Sequence, residues 1–145
     1  MNIPAKQIAS ILGGRKHLGR AIATHRDLEN LVGFGMPKPA LDVLLSPFTK
    51  HTGQSVNDLR HQIVPPATYK RSEKFNLQTS ETIERLARLY AMALEAFGDE
   101  QAASKFMLTE HPELDDRSPF ETSLTEIGGR AVEEVIERGL HGLPV

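Results

Sequence analysis

The chain has 145 residues, 39% of them hydrophobic, which is enough for one ordinary domain or two small ones with a real core. It contains no cysteine, which excludes disulfides, thiolate zinc sites and cysteine nucleophiles, and no apolar run approaches the roughly 20 residues of a membrane span. The formal net charge of −2 hides an asymmetry: residues 1–75 hold eleven Lys/Arg against five Asp/Glu, net +6, whereas residues 76–145 hold six against fourteen, net −8. A split of this kind suggests a nucleic-acid-facing half joined to a half that meets something else, although acidic residues can also simply solvate a surface. Met1 to Leu18 lacks the apolar segment of a signal peptide, so a soluble cytoplasmic protein with no membrane association is expected.

Pro4 to Leu12 carries Ile8, Ile11 and Leu12 at helical spacing and ends at Gly13-Gly14, which predicts a short helix and a basic turn through Arg15-Lys16. Gly13 to Lys16 lacks the spacing, the second Gly-Lys and the preceding strand of a phosphate loop, so a nucleotide-using enzyme finds little support there. Thr24 can cap a helix from His25 to about Val32. Ala40 to Leu45 predicts a third helix with Pro47 near its end. Ser55 with Asp58 opens a helix through about Ile63; Val64-Pro65-Pro66 forces a turn, and Ala67 to Arg71 forms another short helix.

Two short helices around a tight turn form a helix-turn-helix pattern. Thr68 and Tyr69 can reach phosphate or base edges there, while Lys70, Arg71 and Lys74 bring charge to the DNA backbone. Phe75 to Gln78 reads as a connector, and Thr79 or Ser80 as the cap of the longest helix, to about Phe97, with Ile83, Leu86, Ala87, Tyr90, Ala93, Leu94 and Phe97 inward. Gly98 stops it and Asp99 caps the next helix, which His111-Pro112 breaks. Ser118-Pro119-Phe120-Glu121 has the residues of a capping box with Pro at the first helical position.

The last predicted helix opens at Thr125, buries Ile127, Ala131, Val132, Val135 and Ile136, and ends at Gly139. Gly128 and Gly129 each cost about 1 kcal/mol relative to Ala in a helix, so something must approach its first turn closely. Leu140 to Val145 is then a short apolar Gly/Pro-containing tail. No alternating strand pattern occurs, which predicts an all-α fold. No two of the six histidines lie three or four residues apart, and no serine sits in a nucleophile elbow, so no catalytic, metal or cofactor site is expected. Arg117 and Arg130 sit beside small or turn residues, where a guanidinium can pin a loop or a partner carboxylate.

Taken in order, these motifs resemble the Xre/MbcA/ParS-type antitoxins of RES-Xre toxin–antitoxin systems. The second half carries Ser80-Glu81, then Glu84-Arg85-Leu86-Ala87-Arg88-Leu89, then Phe97-Gly98-Asp99-Glu100. Arg117-Ser118-Pro119, Thr125 to Gly128, Val132 to Ile136 and Gly142-Leu143-Pro144-Val145 follow. The first half matches in Ile11 to Gly14, Gly35-Met36-Pro37 with Ala40-Leu41, and Thr68 to Arg71. Departures are Phe106 where Trp is frequent, Asp115-Asp116 where glycines are expected, and Ile63-Val64-Pro65 where the turn often holds glycine.

The resemblance implies an Xre-like DNA-binding domain over 1–75 and a toxin-binding domain over 76–145. It implies a homodimer that neutralises a RES-domain toxin acting on NAD and represses its own operon at operator DNA. The toxin contacts it implies are Arg130, Leu140, His141, Gly142, Leu143, Pro144 and Val145, with the tail at the toxin's NAD pocket. The other reading that the sequence leaves open is a free-standing helix-turn-helix regulator whose acidic half only dimerises.

Overall fold

The computed structural model describes residues 1–142 and, among these, consists of ten α-helices and one 3-10 turn with no strand. The helices are α1 (Ala5–Ile11), α2 (Gly14–Leu18), α3 (His25–Phe34), α4 (Lys38–Thr52), α5 (Val56–Ile63), α6 (Pro66–Arg71), α7 (Leu77–Phe97), α8 (Glu100–Leu108), α9 (Pro119–Thr122) and α10 (Glu126–Leu140). The 3-10 turn, Pro112–Leu114, lies between α8 and α9. The all-α reading holds. None of these helices is long and apolar enough to cross a membrane.

Helix α7 is the strut of the fold. It packs against α1, α3, α4, α5, α8 and α10, so it has almost no solvent face over its middle turns. Leu86, Leu89, Met92 and Ala93 are all buried there, pointing in different directions around the axis. A helix surrounded on this scale is apolar nearly all round rather than on one stripe, which is why Leu89, Ala91 and Met92 join the inward set read from the sequence. Buried side chains from Ile3 to Ile136 form one continuous cluster. Phe48 of α4 marks its centre, edge-on to Tyr90 of α7 at 4.9 Å and to Phe120 of α9 at 5.9 Å between ring centroids.

Local chemistry sets most of the boundaries. Thr24 and Asp27 form a reciprocal capping box on α3, as do Ser118 and Glu121 on α9. Asp99 and Thr125 accept hydrogen bonds from the backbone N–H groups of Ala102 and Gly128, opening α8 and α10. Asp115 and Asp116, which stand where the resemblance expects glycines, both adopt the left-handed conformation (φ 58° and 60°) that favours glycine. Asp tolerates it better than most residues.

Several expectations are corrected. Gly13 is left-handed, but the basic turn beyond it winds into α2 rather than staying a loop. Helix α4 runs through Pro47 to Thr52, because the apolar stripe Leu41, Leu44, Leu45 and Phe48 continues past the proline, and its burial outweighs the missing N–H. Asn76, not Thr79 or Ser80, caps α7, accepting from the Thr79 N–H at 2.8 Å, so the supposed connector is already helical from Leu77. Ser80 is instead buried: its hydroxyl accepts from the Met36 N–H at 2.8 Å and donates to the Phe75 carbonyl at 3.2 Å. Helix α10 passes Gly139 and ends at Leu140. Ile127, assigned to its buried face, is 80% exposed, because α10 rotates to press Gly128 and Gly129 inward.

Candidate functional site

Two surfaces carry the residues singled out by the sequence. The first is built on α6 and its supports. Tyr69 is half-buried, and its ring is stacked on Phe75 at 6.3 Å with the Arg60 guanidinium 4.0 Å and the Lys38 ammonium 4.3 Å from the ring centroid. Its hydroxyl donates to Asp42 Oδ2 at 2.6 Å, and Asp42 also accepts from Arg60 Nη2 at 2.7 Å. Burial, then the Asp42 carboxylate, raises the Tyr69 phenol above its ordinary value, which keeps it a protonated donor. Tyr69 thus bolts α6 to α4 and α5. Around it Lys70, Arg71 and Lys74 are exposed, and Thr68 is half-buried. Lys38 adds a further cation, donating to the Lys70 carbonyl at 3.4 Å. The chain between α6 and α7 is fixed by backbone bonds, Lys38 N–H to Glu73 and Phe75 N–H to Met36, both at 2.9 Å. The arrangement is a rigid, cation-bearing edge that can meet phosphates.

The second surface is α10 with the residues that seat it. Arg85 of α7 is buried, yet it carries a guanidinium. Its Nη1 donates to the Ser123 carbonyl at 2.9 Å and its Nε to Glu126 at 3.2 Å, so the charge is paired where α9 turns into α10. Gly128 and Gly129 explain themselves here. A Cβ on Gly128 would overlap the Thr122 carbonyl oxygen, and one on Gly129 would lie 2.8 Å from Arg85 Cδ. The close approach inferred from the sequence is real. Further along, Arg88 bridges Glu84 at 3.5 Å and Glu133 at 3.6 Å, and Arg138 meets Glu113 at 2.6 Å. Burial raises the Glu84 carboxyl above its ordinary value, against the opposing pull of Arg88 and Arg85.

Of the residues assigned to a toxin, Arg130 is exposed and pairs with Glu126 at 3.6 Å. Leu140 is 39% exposed at the end of α10, and His141 and Gly142 follow it on the surface. Leu143, Pro144 and Val145 lie outside the described residues. Arg117 pins its own loop, donating from Nε to the Leu114 carbonyl at 3.3 Å.

Residues 92–142 match the family model of the antitoxin Xre/MbcA/ParS C-terminal toxin-binding domain. The C-terminal part of the chain is thus similar to this antitoxin family. The match begins in the second half of α7 and takes in α8, α9 and all of α10, so the helix seated by Arg85 and the glycine pair is the last element of the matched region. A comparison with curated proteins finds no match. Among the described residues no three His, Asp or Glu side chains converge as they would to hold a metal ion.

Sequence reasoning missed Arg85 and Asp42. Arg85 lies three residues from Thr82 and four from Leu89, both buried in the structure but outside the apolar stripe read from the sequence, so its burial left no local signal. Asp42 carried no local signal, because its partners come from two other helices.

Proposed function

We propose that this antitoxin neutralises a RES-domain toxin that acts on NAD, placing its C-terminal tail at the toxin's active site, and represses its own operon by binding operator DNA as a homodimer in the cytoplasm. The toxin-binding match over residues 92–142 carries this reading, together with the exposure of Leu140, His141 and Gly142 at the end of α10. An acidic surface complements a pocket built to attract phosphates. Arg130 and Leu140 to Gly142 form the near part of the contact, and Leu143, Pro144 and Val145 its tip. Residues 1–75 supply the DNA face, with Lys70, Arg71 and Lys74 at phosphates, Thr68 beside them and Tyr69 fixing the helix. Residues 76–145 supply the toxin face.

Deleting Gly142 to Val145 tests the assignment. The truncated protein is expected to keep its operator affinity and to lose rescue of cells that express the co-encoded toxin. Full rescue by the truncated chain would exclude the tail as the inhibiting element. A chain with no toxin-linked phenotype at all would favour a free-standing regulator.

A further inference from the structure

Three large apolar side chains are among the most exposed: Leu77 at 57%, which lines a groove, and Phe34 at 55% and Ile127 at 80%, which follow the lining residues Gly33 and Glu126 in the chain. Helix α3, the first turns of α7 and the start of α10 enclose this groove of about 570 Å³. Leu28, Val32 and Leu77 make its apolar wall, and its charged lining, four Glu (Glu29, Glu81, Glu84, Glu126) against Arg85 and Arg88, is acidic on balance. Arg26 and Arg85 offset Glu29 and Glu126, whereas Glu81 is exposed with no ion-pair partner among the described residues. Phe34 stands at the groove's edge, directly after Gly33, which lines it. Its ring is held out between two cations, with the Arg20 guanidinium 4.5 Å and Lys74 Nζ 3.7 Å from the centroid.

A cation-flanked aromatic beside an acid-rimmed apolar groove is a plug next to a socket. Phe34 is fixed at the socket's edge and does not fill it. In a closed symmetric dimer, a two-fold rotation would carry the plug of each copy to the socket of the other. The charges then complement: Arg20 of one copy faces Glu81 of the other, the acid of the groove that has no ion-pair partner among the described residues. Phosphate does not suit this groove, because its rim is acidic.

We propose that this face is the homodimer interface, with Phe34 of each copy seated against Leu28, Val32 and Leu77 of the other and Arg20 opposite Glu81. The inference rests on the dimer in the proposed function and names the surface that makes it. A standard interface takes roughly 800 Å² per partner, a modest share of this chain's 7705 Å² of accessible surface.

Sedimentation equilibrium of the full chain, without toxin or DNA, tests it. The protein is expected to be a dimer, and Phe34→Asp, Arg20→Glu and Glu81→Arg each to raise the dissociation constant at least about tenfold, as the loss of a central anchor or a charge pair does. The double variant Arg20→Glu with Glu81→Arg is expected to recover dimerisation, which a merely unstable protein would not. Phe34 and Glu81 are exposed and Arg20 is half-buried, and thermal melts check that each variant is folded; Leu77→Glu stands in for Phe34→Asp if that one is not. A dimer that the single variants leave intact overturns this surface but not the dimer. A monomeric wild-type chain overturns both. Weakening by the single changes without recovery in the double overturns the two-fold docking.

Discussion

The Arg85 side chain lies directly across Gly129. A Cβ there would sit 2.8 Å from Arg85 Cδ, and beyond that contact the guanidinium reaches the Ser123 carbonyl and Glu126. Ala at either glycine would ordinarily gain about 1 kcal/mol of helix propensity. Here the sign reverses. Gly128→Ala meets a backbone carbonyl that cannot step aside and is expected to cost about 2–3 kcal/mol, the upper part of the range of overpacking. Gly129→Ala meets a side chain that can give slightly, and should cost less. Urea midpoints of the two variants check both the signs and the order.

Replacing Arg85 leaves the Ser123 carbonyl buried without its donor. Arg85→Met, similar in length but uncharged, is expected to lose about 2–3 kcal/mol, the penalty for an unpaired buried acceptor plus a broken charge pair. Arg85→Lys should recover only part of it, because an ammonium cannot span the carbonyl and Glu126 in the geometry of a planar fork. Toxin co-purification is expected to fall in parallel with stability, since Arg85 seats α10 rather than touching the surface.

On the basic edge, charge and anchoring separate by residue. Lys70→Ala with Arg71→Ala should reduce the slope of log affinity against log salt by about 2, near 0.9 for each phosphate that is no longer neutralised. Tyr69→Phe removes only the hydroxyl held by Asp42. It is expected to cost about 1 kcal/mol of stability and to leave the salt slope unchanged. Titration of operator DNA across salt distinguishes the two effects.

Asp27 gives a pH signature. Its carboxylate accepts from the Ala23 and Thr24 N–H groups, which holds its pKa below the usual 3.8. A depressed folded-state value means that the cap's contribution is fully present above the unfolded value and is lost as pH falls through the folded one. The difference in urea midpoint between the protein and Asp27→Asn should therefore be constant near neutrality and shrink in acid below pH 3.8.

How far the sequence reached follows from the range of each interaction. Caps such as Thr24, Asp99, Ser118 and Thr125 were legible because the bond they make spans three residues. Ile127 was misplaced because periodicity fixes which residues share a face, while the rotation of that face was set by Gly128 and Gly129 meeting α9 and α7. Pro47 was placed near the helix end because its local cost is visible in sequence and the burial of Phe48 that outweighs it is not. At the basic edge the cations were legible, whereas the clamp of Asp42, Arg60 and Lys38 around Tyr69 joins side chains of α4 and α5 to α6 and left no local trace.

The central position of α7 has a consequence for turnover. Its buried faces meet helices from both ends of the chain, within one apolar cluster that runs from Ile3 to Ile136. A core of that kind melts as one cooperative unit, so neither the basic nor the acidic part can open far while the other stays native. A protease that needs an unstructured stretch within the core is then rationed by the global unfolding equilibrium. Any ligand that binds only the native chain, at either face, lengthens the lifetime of the whole molecule.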